Sequence, residues 1–186
     1  NGEKIRRIYL DSTASTLMMG IAHRTSEKFL KHYSNTHSLM HFSAKIATKT
    51  YNWVHERMLK FVNADSDHYT CFFTGSGTTS GMNRIARIFN HLQPKKDVVL
   101  VSIMEHHSND LPHRKHGGHV IHIPVDTHES KMGCVDLDLL EHYLKEYEGR
   151  VNYVSITGIS NVTGIINPIN EVAKLAHHYG AYIVVD

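Results

Sequence analysis

The 186-residue sequence has few cysteines, no long apolar run and no excess of charge of either sign. Its two cysteines, Cys71 and Cys134, are too few for a disulfide framework, so a reducing, cytoplasmic setting is the simplest expectation. No apolar run approaches the roughly 18 residues of a membrane span, so we expect no membrane association. Lysine plus arginine number 20 and aspartate plus glutamate 18. The net charge of +2 gives no electrostatic case for binding nucleic acid.

Histidine, in contrast, is abundant. There are 17 histidines, and some recur at every third position: His113, His116, His119 and His122. A metal site is the functional interpretation of this spacing. Against it, Gly117 and Gly118 interrupt any helix that would align the four side chains, and on a strand beginning at residue 119 the last two point to opposite faces. We therefore expect no metal and interpret these histidines as a polar, solvated surface.

The hydrophobic pattern alternates between strands and helices, which is typical of a parallel α/β sheet. Residues 43–63 carry the apolar stripe of an amphipathic helix, and further helices begin after the turn at residues 74–81, at Asp136 and at Asn170. Strands are predicted at residues 69–73, 97–101, 119–125, 151–156 and 181–185. We expect the strand at 69–73 to be buried in the sheet.

The glycine-rich turn at residues 74–81 follows the first predicted strand and opens a helix. Gly75 and Gly77 let the backbone approach an anion, Thr78 adds a hydroxyl donor, and the helix N-terminus supplies free N–H groups. The spacing matches neither the Walker loop nor the Rossmann fingerprint. A phosphate site and an ordinary strand–helix turn are therefore both compatible with this motif.

Three further polar segments follow predicted strands. His106 lies within residues 105–109, Asn161 within a turn at 158–164, and Asp186 directly after the last strand. Each alone has an ordinary explanation, as a satisfied polar contact, a turn residue or a helix cap. The carboxyl ends of parallel strands, however, meet at the rim where open α/β sheets bind ligands. We expect the glycine-rich turn and these three residues to converge on one pocket at that rim.

Six segments also resemble motifs of a known family. Residues 9–15 are Tyr-Leu-Asp-Ser-Thr-Ala-Ser, residues 35–38 Asn-Thr-His-Ser and residues 73–79 Phe-Thr-Gly-Ser-Gly-Thr-Thr. Residues 105–109 are Glu-His-His-Ser-Asn, residues 160–164 Ser-Asn-Val-Thr-Gly and residues 184–186 Val-Val-Asp. In this order and spacing they resemble the pyridoxal 5'-phosphate (PLP) enzymes of the class V aminotransferase family. The greatest resemblance is to the cysteine desulfurase–selenocysteine lyase subgroup.

The resemblance implies a fold and a division of the chain. The implied fold is the fold-type I PLP-dependent transferase large domain, a mostly parallel α/β sheet with helices on both faces. Residues 1–45 would be an N-terminal arm and helix, and residues 46–186 the N-terminal part of the PLP-binding domain. In the family the lysine that binds PLP covalently comes after the residue matched by Asp186, and so do strands that neighbour the first strand of the sheet, matched here by about residues 69–73. Without those strands, strand edges would be bare. We therefore expect residues 1–186 not to form an autonomous domain.

The resemblance also assigns roles to individual residues. Gly77 and Thr78 would hold the PLP phosphate. His106 would stack on the pyridine ring and take part in catalysis, and Asn161 would donate to the phenolic oxygen. Asp186 would pair with the protonated ring nitrogen and so serve catalysis, because a cationic ring accepts electrons.

The implied activity is cleavage of a C–S or C–Se bond in a small amino acid by a homodimer, with a sulfur-acceptor protein as a partner. Asn35 and His37 would lie on the substrate side. Ser12, Thr79 and Gly81 depart from the family pattern, so another class V aminotransferase, an epimerase or a different lyase is the alternative. A non-catalytic half-chain with the PLP fold is a third interpretation, because the family's lysine lies beyond residue 186.

Overall fold

The computed structural model describes residues 2, 4–128 and 131–186. It divides the chain into two compact units, which are separated in sequence between Phe73 and Thr74. Among the described residues, the first unit contains the helices α1 (Gly20–Leu30) and α2 (Phe42–Phe61). None of the helices in the described part of the chain is long and apolar enough to cross a membrane.

Helix α2 confirms the helix predicted at residues 43–63. His41 caps its first turn, because the ring Nδ1 accepts a hydrogen bond from the Ala44 backbone N–H at 3.3 Å. Ala44 and Ala47 are buried, whereas Met58 and Val62, which belong to the same predicted stripe, are exposed. Burial along this helix is therefore concentrated in its N-terminal half.

The second unit is built on a parallel sheet of four strands, β1 (Val98–Ser102), β2 (His119–Ile123), β3 (Val151–Ile156) and β4 (Tyr182–Val185). Their spatial order is β2-β1-β3-β4, and each neighbouring pair is parallel. The two central strands, β1 and β3, are buried along their whole length. Burial on both faces explains the apolar run Val98–Val101 of β1, whereas β3 also buries the polar residues Asn152 and Ser155. The parallel pairing confirms the predicted parallel α/β sheet.

Helices cover both faces of the sheet, as predicted. They are α3 (Gly77–Leu92), α4 (His107–His116), α5 (Leu137–Glu146) and α6 (Ile169–His178). Successive strand residues point to opposite faces, which creates two apolar clusters. The larger joins α5 and α6 to the sheet through Val98, Leu100, Ile123, Leu140, Leu144, Val154, Ile156, Val172 and Ala176. The smaller, on the other face, joins Met82 of α3 to Val99, Val101, Tyr153 and Val184.

The buried strand predicted at residues 69–73 is wrong. These residues form no strand, and Tyr69, Phe72 and Phe73 are exposed. A strand needs a neighbour to pair with its backbone N–H and C=O groups. Within the described residues, the strands that pair with one another all lie between Val98 and Val185. Residues 69–73 are apolar enough for a strand, but none of these strands pairs with them.

Helix α4 was not predicted from the sequence, because it lacks an apolar stripe. It contains Pro112 and is predominantly polar, yet Asn109, Asp110 and His113 are buried. Hydrogen bonds to the sheet and to neighbouring polar groups replace the apolar contacts that usually hold such a helix. The helix consequently leaves no trace in the hydrophobic periodicity of the sequence.

Candidate active site at the carboxyl edge of the sheet

Three of the predicted site segments lie at the same edge of the sheet. His106 follows β1, Asn161 lies in the loop after β3, and Asp186 follows β4. These strands are parallel neighbours in the order β1-β3-β4, so their carboxyl ends meet at one edge. The glycine-rich turn differs from the prediction in that it follows no strand.

The orientation of α3 nevertheless directs this turn towards the same edge. At the C-terminal end of α3, the Phe89 ring stacks on Tyr182, the first residue of β4, at 5.2 Å. The Phe89 carbonyl accepts a hydrogen bond from the Asn152 side chain near the start of β3 at 3.0 Å. From Gly77 to Phe89 the helix rises about 18 Å, close to the roughly 17 Å length of β3. With Met82 packed on the sheet between these ends, Gly77 lies towards the carboxyl edge.

The N-terminus of α3 has the chemistry of an anion site. Ser76 and Gly77 are consecutive residues with positive φ, 60° and 64°, and Gly77 opens α3, whose first N–H groups have no partner within the helix. No side chain caps this helix in the described part of the chain. A Cβ added at Gly75 or Gly77 would meet no described atom within 4 Å. The space beside Gly75 and Gly77 is therefore open, and it lies at the positive end of the helix dipole.

Glu105 accepts three hydrogen bonds at this edge. Its Oε1 accepts hydrogen bonds from the Ser102 hydroxyl and from the Thr157 backbone N–H at 2.7 Å, and its Oε2 accepts one from the Asn109 side-chain amide. The pKa of the Glu105 carboxyl lies above its ordinary value, mainly because the group is buried. The nearby Asp186 carboxylate adds to this increase, and the three hydrogen bonds oppose it. No role for Glu105 was predicted from the sequence, although it immediately precedes His106.

His106 is held by its position as the N-cap of α4. Its ring Nδ1 accepts a hydrogen bond from the Ser108 backbone N–H at 3.1 Å and lies 2.8 Å from the Ser108 hydroxyl. The residue is exposed. The cap fixes the ring beside the carboxyl edge while leaving its surface open for stacking.

Asp186 is held to the edge through its backbone. Its N–H donates to the Ile156 carbonyl at 3.0 Å, and its own carbonyl accepts from the Gly158 N–H at 2.9 Å. The residue as a whole is exposed. The pKa of its carboxyl group is nevertheless raised, because partial burial outweighs the opposing effect of the nearby His106 ring. The structure thus brings Glu105, His106 and Asp186 close enough to interact electrostatically.

Asn161 occupies the exposed tip of the loop after β3. The Ser160 hydroxyl accepts hydrogen bonds from the backbone N–H groups of Val162 at 3.3 Å and Thr163 at 3.2 Å. At the base of the loop, Asn167 donates from its side chain to the Thr157 carbonyl at 2.8 Å. The loop is therefore anchored beside Glu105, but the hydrogen bonds of the described residues do not join Asn161 to the other candidates.

Asn35 and His37, assigned to the substrate side by resemblance, belong to the first unit. The Asn35 Oδ1 accepts a hydrogen bond from the His37 backbone N–H at 2.6 Å, which forms a local turn. Both residues are exposed. The segment is held to α2, because the Thr48 hydroxyl donates to the Thr36 carbonyl at 3.1 Å.

Interpreting the histidine series as a solvated surface is wrong for His113, which is 0% exposed. Its Nδ1 lies 2.8 Å from the Tyr153 hydroxyl, and its Nε2 lies 3.0 Å from the Asn109 Oδ1. Burial lowers the pKa of His113 to about 4, against an opposing contribution from Asp110. His122 likewise contacts Asp110, at 2.9 Å. Among the described residues, no group of three or more His, Cys, Asp or Glu side chains is arranged to hold a metal.

A separate cleft of about 760 Å³ lies at the C-terminal ends of α3 and α4. It is lined by Arg87, Asn90, His91, Pro94, Arg114, Lys115, His116 and Gly118. Because α3 runs from the carboxyl edge towards the amino edge, this basic cleft is distant from Gly77. None of the predicted site residues lines it.

A family model supports the sequence resemblance. The model described as aminotransferase class-V matches residues 8–186. Among curated proteins, the chain is 29% identical over 185 residues to a probable cysteine desulfurase of Halalkalibacterium halodurans, covering 96% of this chain and 43% of that protein. It is 31% identical over 185 residues to a cysteine desulfurase of Synechococcus elongatus, covering 96% of this chain and 28% of that protein.

Solved structures give the same result for the fold. The apo cysteine desulfurase of Thermococcus onnurineus superposes with a TM-score of 0.78 at 28% identity, covering 96% of this chain and 43% of that chain. The chain thus spans less than half of the length of each of these relatives. The match confirms the fold-type I architecture expected from the sequence.

Proposed function

Because this chain belongs to the aminotransferase class-V family, we propose that it forms the cofactor-binding part of a PLP-dependent enzyme that removes sulfur or selenium from cysteine or a related small amino acid. One observation carries the proposal. The N-terminus of α3, which no side chain caps among the described residues, is directed towards the sheet edge at which Asp186 lies. PLP requires an anion site for its phosphate and, at a different position, a carboxylate for its ring nitrogen.

The residues present fit that cofactor. The backbone N–H groups at Gly77 and Thr78, with the Thr78 hydroxyl, match a phosphate in charge and hydrogen-bond polarity. The Asp186 carboxylate matches a protonated pyridine nitrogen. When bound, PLP supplies an electron-accepting ring that stabilises negative charge next to the substrate's amino group.

His106 and Asn161 would together orient the ring. The imidazole of His106 offers a flat surface for stacking, and it also offers a nitrogen that can hold or move a proton. Asn161, at the tip of an anchored loop, offers an amide donor for the phenolic oxygen. Asn35 and His37 are proposed as substrate-side residues from the resemblance alone.

The complete protein is proposed to be a cytoplasmic homodimer that transfers sulfur to an acceptor protein. The names of the relatives support desulfuration. Aminotransferase, epimerase or other lyase chemistry is the alternative, because Ser12, Thr79 and Gly81 depart from the desulfurase pattern. The products distinguish these activities. Desulfuration of cysteine yields alanine and passes sulfur to an acceptor thiol as a persulfide, whereas transamination yields a keto acid.

The experiment is made on the full-length protein that contains this chain. Purified protein should bind PLP, as measured by absorption spectroscopy, and should form alanine from cysteine. Asp186→Ala should lower turnover about 100-fold or more, because the ring loses the charge partner that stabilises its electron-accepting form, while phosphate contacts still retain PLP. Asp138→Ala is the matched control, since Asp138 is exposed on α5. Near-normal turnover of Asp186→Ala would contradict the assigned role.

A further inference from the structure

Glu105 connects more elements of the site than any group to which the proposed function gives a role. Its carboxylate joins Ser102 at the end of β1, Thr157 just after β3 and Asn109 in the first turn of α4. The next residue in sequence is His106, and the residue after Thr157 donates to the Asp186 carbonyl. A displacement of the Glu105 carboxylate would therefore be transmitted to both groups proposed to contact the cofactor ring.

The polar network behind Glu105 has a defined direction. With a pKa of about 4, His113 is neutral at pH 7 and has one N–H. The Asn109 Oδ1, which can only accept, lies 3.0 Å from the His113 Nε2, so the N–H is on Nε2. The His113 Nδ1 therefore accepts from the Tyr153 hydroxyl at 2.8 Å, and that hydroxyl stays protonated because burial raises its pKa. The Asn109 Oδ1 thus accepts from His113 and also from the Ser155 hydroxyl at 2.9 Å. The Asn109 oxygen is thereby occupied, and its NH₂ group must face Glu105.

Both side-chain oxygens of Glu105 must therefore act as hydrogen-bond acceptors. The Thr157 N–H faces Oε1 and the Asn109 NH₂ faces Oε2. A glutamine at position 105 has a single acceptor oxygen. If that oxygen meets Thr157, the glutamine NH₂ opposes the Asn109 NH₂. In the reverse orientation it opposes the Thr157 N–H, which is part of the backbone and cannot rotate away.

We propose that Glu105 is a positioning residue, whose carboxylate fixes His106 and the Asp186 edge in the arrangement that binds the PLP ring. The proposal rests on the proposed function, because it assigns the purpose of this network to the same site. Glu105 acts through its neighbours and is not required to touch the cofactor. The geometry that supports it is the convergence of β1, β3 and α4 on one carboxylate.

Two single variants and their combination, which moves the negative charge from position 105 to position 109, test the proposal. In Glu105→Gln the new NH₂ group faces another N–H donor, and in Asn109→Asp two carboxylates face each other. In the double variant, the NH₂ group of the introduced glutamine would donate to the introduced aspartate, whose other oxygen would still accept from His113 and Ser155. Every hydrogen bond is then restored with the same net charge, so the double variant should rescue what each single variant loses.

Two measurements are made on the full-length protein. The first is the dissociation constant for PLP, which should rise about tenfold to 100-fold in each single variant and return to within about threefold of wild type in the double variant. The second is hydrogen exchange at the Thr157 amide without cofactor, whose protection should fall at least about tenfold in Glu105→Gln. Glu146→Gln, on an exposed face of α5, is the control and should change neither.

The outcomes separate the two levels of the proposal. Weaker PLP binding in both single variants, with rescue in the double variant, supports the positioning role. Loss of Thr157 protection with unchanged PLP affinity overturns it, since Glu105 would then stabilise the edge without serving the site. If the Thr157 amide is equally protected in Glu105→Gln and in wild type, the proposal is overturned, because the carboxylate would not be holding the edge in place. If the wild-type protein binds no PLP, the proposed function fails, and so does the assignment of Glu105 to cofactor positioning, even if the network itself is confirmed by exchange.

Discussion

Acidification from pH 7 to pH 5 should destabilise the sheet unit through His113. The ring is fully buried, and its pKa falls from 6.5 to about 4 because burial disfavours the imidazolium. The unfolded chain therefore binds more protons than the folded chain between these two pKa values. Stability is complete above about pH 6.5 and is lost as the pH falls towards 4.

The size of the effect follows from the two pKa values. Relative to pH 7, the loss in unfolding free energy from this residue is about 2 kcal/mol at pH 5 and about 3 kcal/mol at pH 4. These values are upper limits for one site, since partial opening of α4 would let water reach the ring. Protonation would also break the hydrogen bond in which the His113 Nδ1 accepts from Tyr153.

Native-state hydrogen exchange of the β3 amides measures this free energy in the full-length protein, after correction for the intrinsic pH dependence of exchange. Carboxyl groups also titrate near pH 5, so the quantity of interest is the difference between wild type and His113→Gln, which does not titrate at this position. His142→Gln is the matched control, because the His142 side chain is 64% exposed on α5. If His113→Gln loses as much stability between pH 7 and pH 5 as wild type does, the buried imidazole is not the source.

Two further predictions use the same exchange assay. Asn167→Ala should cost about 2 to 4 kcal/mol, because the buried Asn167 side chain bonds two backbone groups that would lose their partners; Asn161→Ala, at the exposed tip of the same loop, should cost less than about 0.5 kcal/mol, and equal costs would show that the anchor is unimportant. Gly118→Ala should cost at least about 3 kcal/mol, because φ is +92° and the new Cβ would lie 2.5 Å from the Asp97 carbonyl oxygen. Gly149→Ala, with φ of +75° and no described atom within 4 Å, should cost only about 1 kcal/mol; similar costs at the two glycines would contradict the expected clash.

The helices and strands that the sequence predicted correctly carry local signals. Asp136 was predicted to begin a helix, and it does, as its side chain accepts from the Leu139 backbone N–H at 2.9 Å. The strands Val98–Ser102 and Val151–Ile156 are short, largely apolar segments rich in valine. A helix was also predicted near residue 170, but its predicted cap, Asn170, is wrong, because α6 begins at Ile169 and Pro168 is its N-cap. Such features depend on residues a few positions apart, which is why a sequence alone reveals them.

Less of the candidate site than of the fold could be predicted from the sequence. The expectation that His106, Asn161 and Asp186 follow strands depended only on strand order along the chain, and the structure agrees with it. The role of Glu105 was not accessible, because its partners Ser102, Asn109 and Thr157 are brought together only when β1, β3 and α4 pack.

Local composition and spacing were enough to predict the alternation of strands and helices, the parallel sheet and the family motifs. Packing of the folded chain determines which polar residues are buried and which apolar residues are not. Residues 69–73 have the composition of a strand but no partner strand among the described residues, whereas His113, predicted to be solvated, lies buried against Tyr153 and Asn109. Burial and pairing are relations between distant segments, so their free energies depend on the packed chain and not on the residue itself.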